Sequence, residues 1–259
     1  MIRVVKAGGK IIDDEQLLSQ FCKDFAQLEG PKILVHGGGS MASRIQEALG
    51  MEVRMIEGRR VTDEDTLKIV TMVYSGWCNK HITALLQGCG CNAIGLSGCD
   101  ASAIKAVRRP PRLLADGVTL VDYGLTGDVS PESINCKFIN MLLANGLTPV
   151  FCAINHDAQG NLLNTNADTI ASSIAAAMHG ELVYCFEKQG VLADPNDESS
   201  VIPHITPASA AKLKADGIIS AGMIPKIDNA LSALRAGAAR VTIKHSSCLL
   251  ADAGTKLTL

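Results

Sequence analysis

Asn164-Thr165-Asn166-Ala167-Asp168 places two amides and a carboxylate directly before the small apolar run 169–178, where loop gives way to helix. A carboxylate there is ordinarily a cap, accepting amide protons that the first helical turn leaves unpaired. Two glycine-rich turns upstream, Lys6-Ala7-Gly8-Gly9-Lys10 and His36-Gly37-Gly38-Gly39-Ser40, offer it other chemistry. Each follows a short β-branched run and precedes an amphipathic one, so each falls at the carboxyl end of a parallel strand, where open α/β sheets bind ligands. Glycine lets backbone N–H groups at a helix start approach an anion and point at it. Neither turn has the spacing of a P-loop or of GxGxxG, which disfavours both of those sites. Lys226 falls in the first turn of a late helix, where a cation opposes the helix dipole, so its position asks for a functional explanation. Arg59-Arg60 precedes Thr62 and Asp63, either of which can cap the next helix. Two adjacent arginines are more commonly solvated surface charges, whereas an arginine aimed into a cleft would bind a carboxylate through its planar fork.

The elements that must position these residues alternate β-branched runs with amphipathic stretches, the pattern of an α/β fold with a mainly parallel sheet. Strands are expected at 2–5, 32–35, 92–96, 148–154, 181–186, 241–244 and 255–259, with a hairpin or edge segment over 119–129. Helical spacing joins Leu17, Leu18, Phe21, Cys22, Phe25 and Leu28, then Met41, Ile45, Ala48 and Leu49. A longer helix carries Leu67, Val70, Val73, Trp77, Ile82 and Leu85 on one apolar face. Pro131 starts a further helix that Asn145-Gly146 ends, Thr206 caps one that Gly217 stops, and residues 218–223 lead into the helix bearing Ile227, Ala230, Leu231 and Leu234.

A chain of 259 residues with 47% hydrophobic side chains buries a substantial core. The net charge of -2, with its lysines and arginines dispersed, gives no basis for a nucleic acid or an acidic membrane as partner. Nine scattered cysteines, among them Cys22, Cys136, Cys152 and Cys185 in apolar runs, read as small buried hydrophobes in a reducing compartment. Cys89-Gly90-Cys91 has no second pair and no histidine at ligand spacing, which argues against a metal site. The first residues lack the apolar segment of a signal peptide and no later stretch is long enough to span a bilayer, so a cytoplasmic protein is expected.

Taken together, Lys6 with Gly8-Gly9, His36-Gly37-Gly38-Gly39, Gly58-Arg59-Arg60-Val61-Thr62, the segment 121–127, the cluster 164–168 and Gly222-Met223-Ile224-Pro225-Lys226 resemble the amino acid kinase family, and within it the N-acetylglutamate kinases, over essentially the whole chain. The resemblance implies a three-layer αβα sandwich with an open, mainly parallel central sheet. It implies one domain, 1–259, with an N-terminal lobe, 1–178, that binds the acyl amino acid and a C-terminal lobe, 179–259, that binds ATP. The activity implied is transfer of the γ-phosphoryl of ATP to the side-chain carboxylate of N-acetyl-L-glutamate, in arginine biosynthesis. Lys6 and Lys226 would stabilise the charge gathered on the transferred group, with Asp168 between them. Gly8, Gly9, Gly38 and Gly39 would bind phosphoryl oxygens, and Arg60, Asn164 and Asn166, with Gly38 and Gly39, would bind the N-acyl-L-glutamate. Mg2+ would travel with the nucleotide, since no all-protein carboxylate cage is evident. A homodimer is expected, formed through the helix over 66–86.

Three features depart from the family pattern: Lys10 where a small or apolar residue is usual, Glu187 where an aspartate is usual, and no extra N-terminal helix of the kind associated with arginine inhibition. The last predicts no strong arginine feedback. N-Succinyl-L-glutamate is the alternative substrate, because only the acyl pocket distinguishes it. An inactive amino-acid-sensing homologue is the alternative of another class.

Overall fold

The computed structural model describes residues 1–114, 117–219 and 223–259. Its central sheet gathers β1 (Arg3–Ala7), β2 (Lys32–His36), β3 (Ala93–Leu96), β4 (Thr148–Phe151), β5 (Glu181–Phe186), β6 (His204–Ile205), β7 (Arg240–His245) and β8 (Thr255–Leu257). The spatial order is β6-β8-β7-β5-β1-β2-β4-β3. Every pairing is parallel except that of β7 with β8. β2 and β4 are buried along their whole length, as strands covered on both faces must be.

From β1 the chain moves one way through α1 (Gly9–Asp13) and α2 (Glu15–Gln27) to β2, and later returns through α7 (Ala167–Ala177) to β5 on the other side of β1. Right-handed crossovers running in opposite directions put α2 and α7 on opposite faces, giving the three expected layers. α7 packs on β1, β2 and β5 and against α9 (Ile224–Arg235). The strand order reverses at β1, so the carboxyl ends of β1 and β2, with their glycine turns, sit where such sheets open a crevice. The sheet runs through residue 178, so both expected lobes contribute to it.

Some expectations shift. The run 148–154 divides into β4 and a strand Ile154–His156 that pairs antiparallel with Leu162–Asn164, a hairpin that delivers Asn164 to the crevice. Residues 119–129 form two short pairings outside the main sheet, with Arg112–Leu113 and with Val107–Arg108. Of the two cap candidates Asp63 is used, accepting the Thr66 amide at 2.8 Å. The long helix runs α4 (Glu64–Thr71), a π-helical turn Met72–Cys78, then α5 (Asn79–Gly88), after α3 (Gly39–Ala48); α6 (Cys136–Ala144) precedes β4 and α8 (Pro207–Ala215) follows β6. The wider π turn rotates the apolar stripe, so Trp77 is exposed and Tyr74 turns inward, contrary to a uniform 3.6-residue face. The lead-in at 220–222 lies outside the described residues. All nine cysteines are free thiols, and among the described residues no helix is long and apolar enough to cross a membrane.

Lys32 opens β2 with its ammonium buried, donating to Ala26 O at 2.6 Å and Leu28 O at 2.7 Å where α2 ends, 5.4 Å above the Phe25 ring. It caps orphan carbonyls with a positive charge at the negative end of the helix. Lys32→Met keeps the stem and removes the cap; urea unfolding is expected to show a loss of about 1–3 kcal/mol. A variant as stable as the parent would remove this cap from the account of α2.

Candidate active site

α7 is capped by Asn166, whose Oδ1 accepts the amides of Asp168 at 2.8 Å and Thr169 at 3.3 Å. With the cap supplied by an amide, the Asp168 carboxylate in the first turn is available to face the strands. Lys6, on β1 in register with Val35 and Tyr184, brings its ammonium to 2.8 Å from Asp168 Oδ1. Lys226, in the first turn of α9, stands 3.9 Å from Oδ2. Two lysines so placed repel each other, and the carboxylate between them offsets that repulsion. Burial pushes the Asp168 carboxyl upward, but Lys6, Lys226 and Arg59 together outweigh it and hold it below the usual range. The Tyr184 hydroxyl donates to Asp168 O at 3.2 Å, tying the helix start to β5.

The glycine turns divide their tasks. The Gly8 amide donates to Cys185 O at 2.9 Å, and a Cβ there would lie 3.0 Å from the same oxygen. Gly8 therefore joins the end of β1 to β5, and its N–H is not offered to a phosphoryl oxygen as the sequence led us to expect. Gly9 begins α1 and lines the cavity with Gly37, Gly38 and Gly39. Gly38 has φ +154°, and a Cβ there would sit 2.9 Å from Tyr74 Cδ1 and 3.0 Å from Cys78 Sγ, the two side chains that the π turn directs inward. Beneath them His36 is fully buried. Asn79 Nδ2 can only donate, at 3.0 Å, so His36 Nε2 accepts; Nδ1–H is left to donate to Gly37 O at 2.8 Å. Burial lowers the His36 pKa to about 4, keeping it neutral.

Arg60 is buried, donating to Gly39 O at 2.9 Å, Ser43 Oγ at 2.8 Å and Gln46 Oε1, while its Nε is buried with no partner among the described residues. Asn164 donates from Nδ2 to Thr62 Oγ1 at 3.0 Å. These groups surround a cavity of about 220 Å³ that Lys6, Asn164, Asn166 and Asp168 also line. Asn166 caps α7 through Oδ1 and also lines the cavity. Lys226 is reached through its ion pair with Asp168.

Tyr74, to which the sequence gave no role, and Arg59, to which it gave none beyond a share in the arginine pair, also line the cavity. Tyr74 had no local signal, because nothing in the run 72–78 announces a π turn. Arg59 had one in its neighbour Arg60. It is half-buried in the cavity wall and, among the described residues, has no hydrogen-bond or ion-pair partner. The nearby Arg109 and Arg112 each have an ion-pair partner, Asp128 and Glu57. Burial, and then Arg109, lower its pKa.

Family-level comparison matches residues 1–245 to the amino acid kinase family. Acetylglutamate kinase of Phocaeicola vulgatus is 48% identical over 98% of this chain and 97% of its own length. Among solved structures, smu.665 from Streptococcus mutans UA159 aligns over 99% of this chain and 98% of its own with a TM-score of 0.74 and 28% identity. N-acetylglutamate synthase from Neisseria gonorrhoeae, solved with coenzyme A and N-acetyl-glutamate, shares the fold: TM-score 0.81, 21% identity, all of this chain and 59% of that one.

The buried neutral His36 sets a pH dependence. Its folded pKa of about 4 lies below the ordinary 6.5, so the unfolded chain binds the extra proton first. Stability is complete above pH 6.5 and is lost as pH falls toward 4, by roughly 3 kcal/mol at the limit. Urea unfolding of the parent and of His36→Gln at pH 7 and pH 5 is expected to show a steeper loss in the parent. Parallel losses would mean that His36 does not carry this dependence.

Proposed function

The chain belongs to the amino acid kinase family, and from that premise we propose that it transfers the γ-phosphoryl group of ATP to the side-chain carboxylate of N-acetyl-L-glutamate, an acyl-phosphate-forming step of arginine biosynthesis in the cytoplasm. The observation that carries this reading is the Asp168 carboxylate held between Lys6 and Lys226 at a glycine-walled cavity. The acceptor carboxylate is already a nucleophile at neutral pH, so no general base is required. The obstacle is negative charge on the transferred group and its two flanking oxygens. Lys6 and Lys226 meet that charge from two sides, Asp168 offsets their mutual repulsion and aims both, and the amides of Gly9, Gly38 and Gly39 face the phosphoryl oxygens. Arg60, a guanidinium in the cavity lining, is the group assigned to the substrate α-carboxylate. Asn164 binds the acylated amino group. Residues 1–178 hold the acyl amino acid and 179–259 the nucleotide, with the slot of about 50 Å³ lined by Gly190, Val191, Leu192 and Met223 as the start of the base-binding surface. Mg2+ would neutralise phosphate charge. The carboxylate in this cavity faces lysines on both oxygens, a donor set that suits a metal carried on nucleotide oxygens rather than held by the protein.

One observation favours N-succinyl-L-glutamate as a second reading. Arg59 is an unpaired guanidinium in the cavity wall, and an acyl group with its own carboxylate would pair it. A catalytically silent amino-acid sensor fits less well, because it would not need two lysines arranged about a carboxylate. We also propose a homodimer through the long helix, where Met72 and Trp77 are exposed.

Acyl phosphate trapped with hydroxylamine, measured with N-acetyl-L-glutamate, N-succinyl-L-glutamate and free L-glutamate, is expected to show a clear preference for an acylated substrate. Lys226→Ala should lower turnover by about two to three orders of magnitude while substrate binding changes little. If succinyl is preferred, Arg59→Ala should erase that preference; a parent inactive on all three acceptors would sink the kinase reading. For the dimer, Trp77 is the single tryptophan. Sedimentation at two chains per particle, with blue-shifted Trp77 emission that Met72→Arg abolishes, is the expected result, and a monomer at micromolar concentration refutes it.

A further inference from the structure

Lys10 and Glu187, the two departures from the family pattern in the glycine turn and after β5, meet in space. Lys10 follows Gly9 in α1, Glu187 directly follows β5, and the Lys10 ammonium stands 3.1 Å from Glu187 Oε1. Their side chains are 72% and 41% exposed, so the pair adds little to the fold. It does, however, extend the charges at the mouth of the cavity. Lys6, Asp168 and Lys226 alternate in sign through contacts of 2.8 and 3.9 Å, and Glu187 with Lys10 continues the alternation beyond Lys226. Burial pushes the Glu187 carboxyl upward, but its own backbone amide, Lys10 and Lys226 outweigh it and hold it below the usual range.

Of these three lysines, Lys6 and Lys226 share Asp168, whereas Lys10 has Glu187. Its flexible four-carbon stem starts beside Gly9, at the rim of the cavity where phosphates would enter. Three ammonium groups around an empty anion site would repel one another, and Glu187 offsets the outermost one. A polyphosphate carries several charges where Glu187 carries one, so it wins the exposed ammonium once it arrives. The exchange replaces one ion pair by another, and Glu187 stays in the attractive field of Lys226.

We propose that Lys10 is a third polyphosphate-binding cation, held by Glu187 while the nucleotide is absent and handed to the phosphate oxygens when it binds. This rests on the kinase reading above and adds to it a residue that sets nucleotide affinity.

The test uses the full chain, with Kd for magnesium AMP-PNP by calorimetry and KM and kcat for ATP, in the parent, Lys10→Met, Lys10→Arg and Glu187→Gln. Lys10→Met is expected to weaken nucleotide binding and raise KM for ATP by about 5- to 10-fold, the worth of one charge-assisted contact. Turnover should stay within about twofold, KM for the acyl amino acid should not change, and Lys10→Arg should restore affinity. Glu187→Gln, which releases Lys10 in advance, should tighten nucleotide binding by about two- to threefold. Lys10→Met binding AMP-PNP as the parent does, or Glu187→Gln weakening it as much as Lys10→Met, would overturn the proposal. A parent that binds no nucleotide would instead overturn the kinase reading. Both side chains are exposed, and thermal unfolding of each variant confirms that the fold is intact.

Discussion

The Asp168 carboxylate between two ammonium groups is the constraint on which the crevice depends. Its three members come from α7, β1 and α9, which are distant in the chain, and each is brought in by a separate device. The amide cap of Asn166 leaves the carboxylate unengaged by its own helix, the pairing of β1 with β2 and β5 fixes the height of Lys6, and the packing of α9 on α7 carries Lys226 across. Without the carboxylate, two like charges would share a partly buried site and repel each other. With it, two cations stand ready for an anion, already oriented.

Close approach of backbone supports this arrangement from below. Gly8 lies against β5, and Gly38 lies against Tyr74 and Cys78 at distances that leave no room for a side chain. The turn at Gly37 is held by a neutral histidine whose two ring nitrogens are both engaged, one by an amide on α5 and the other by the carbonyl of Gly37 itself. The π turn is part of the same packing, since it directs Tyr74 and Cys78 beneath Gly38 and puts Trp77 outside. π turns recur at functional sites because the extra residue per turn re-aims side chains that a regular helix would send elsewhere.

Much was legible before any coordinates. β-Branched runs separated by amphipathic stretches specify alternating strands and helices, and the glycine turns mark the carboxyl ends of the strands at which the crevice opens. Lys6, Asp168, Arg60 and Asn164 line one cavity and Lys226 meets it through Asp168, a convergence that their places at or near element ends suggested. Sequence reasoning did less well where one residue type serves two purposes. Asn166 and Asp168 can each cap a helix, and only the register of the first turn assigns the cap to the amide. A glycine can offer its N–H to an anion or let two strands meet, and Gly8 does the second.

The local pattern of this chain determined its layers, the crevice at the sheet's carboxyl edge and the charged residues that converge there, because periodicity and turn chemistry act over a few residues. Distances and partners were decided only by the tertiary structure. That Lys6 reaches Asp168, that Arg59 lines the cavity without a partner while its neighbours are paired, and that Lys10 meets Glu187 all depend on contacts between residues far apart in the chain. Such contacts follow from strand register and helix packing summed over the whole core, which no short stretch of sequence contains.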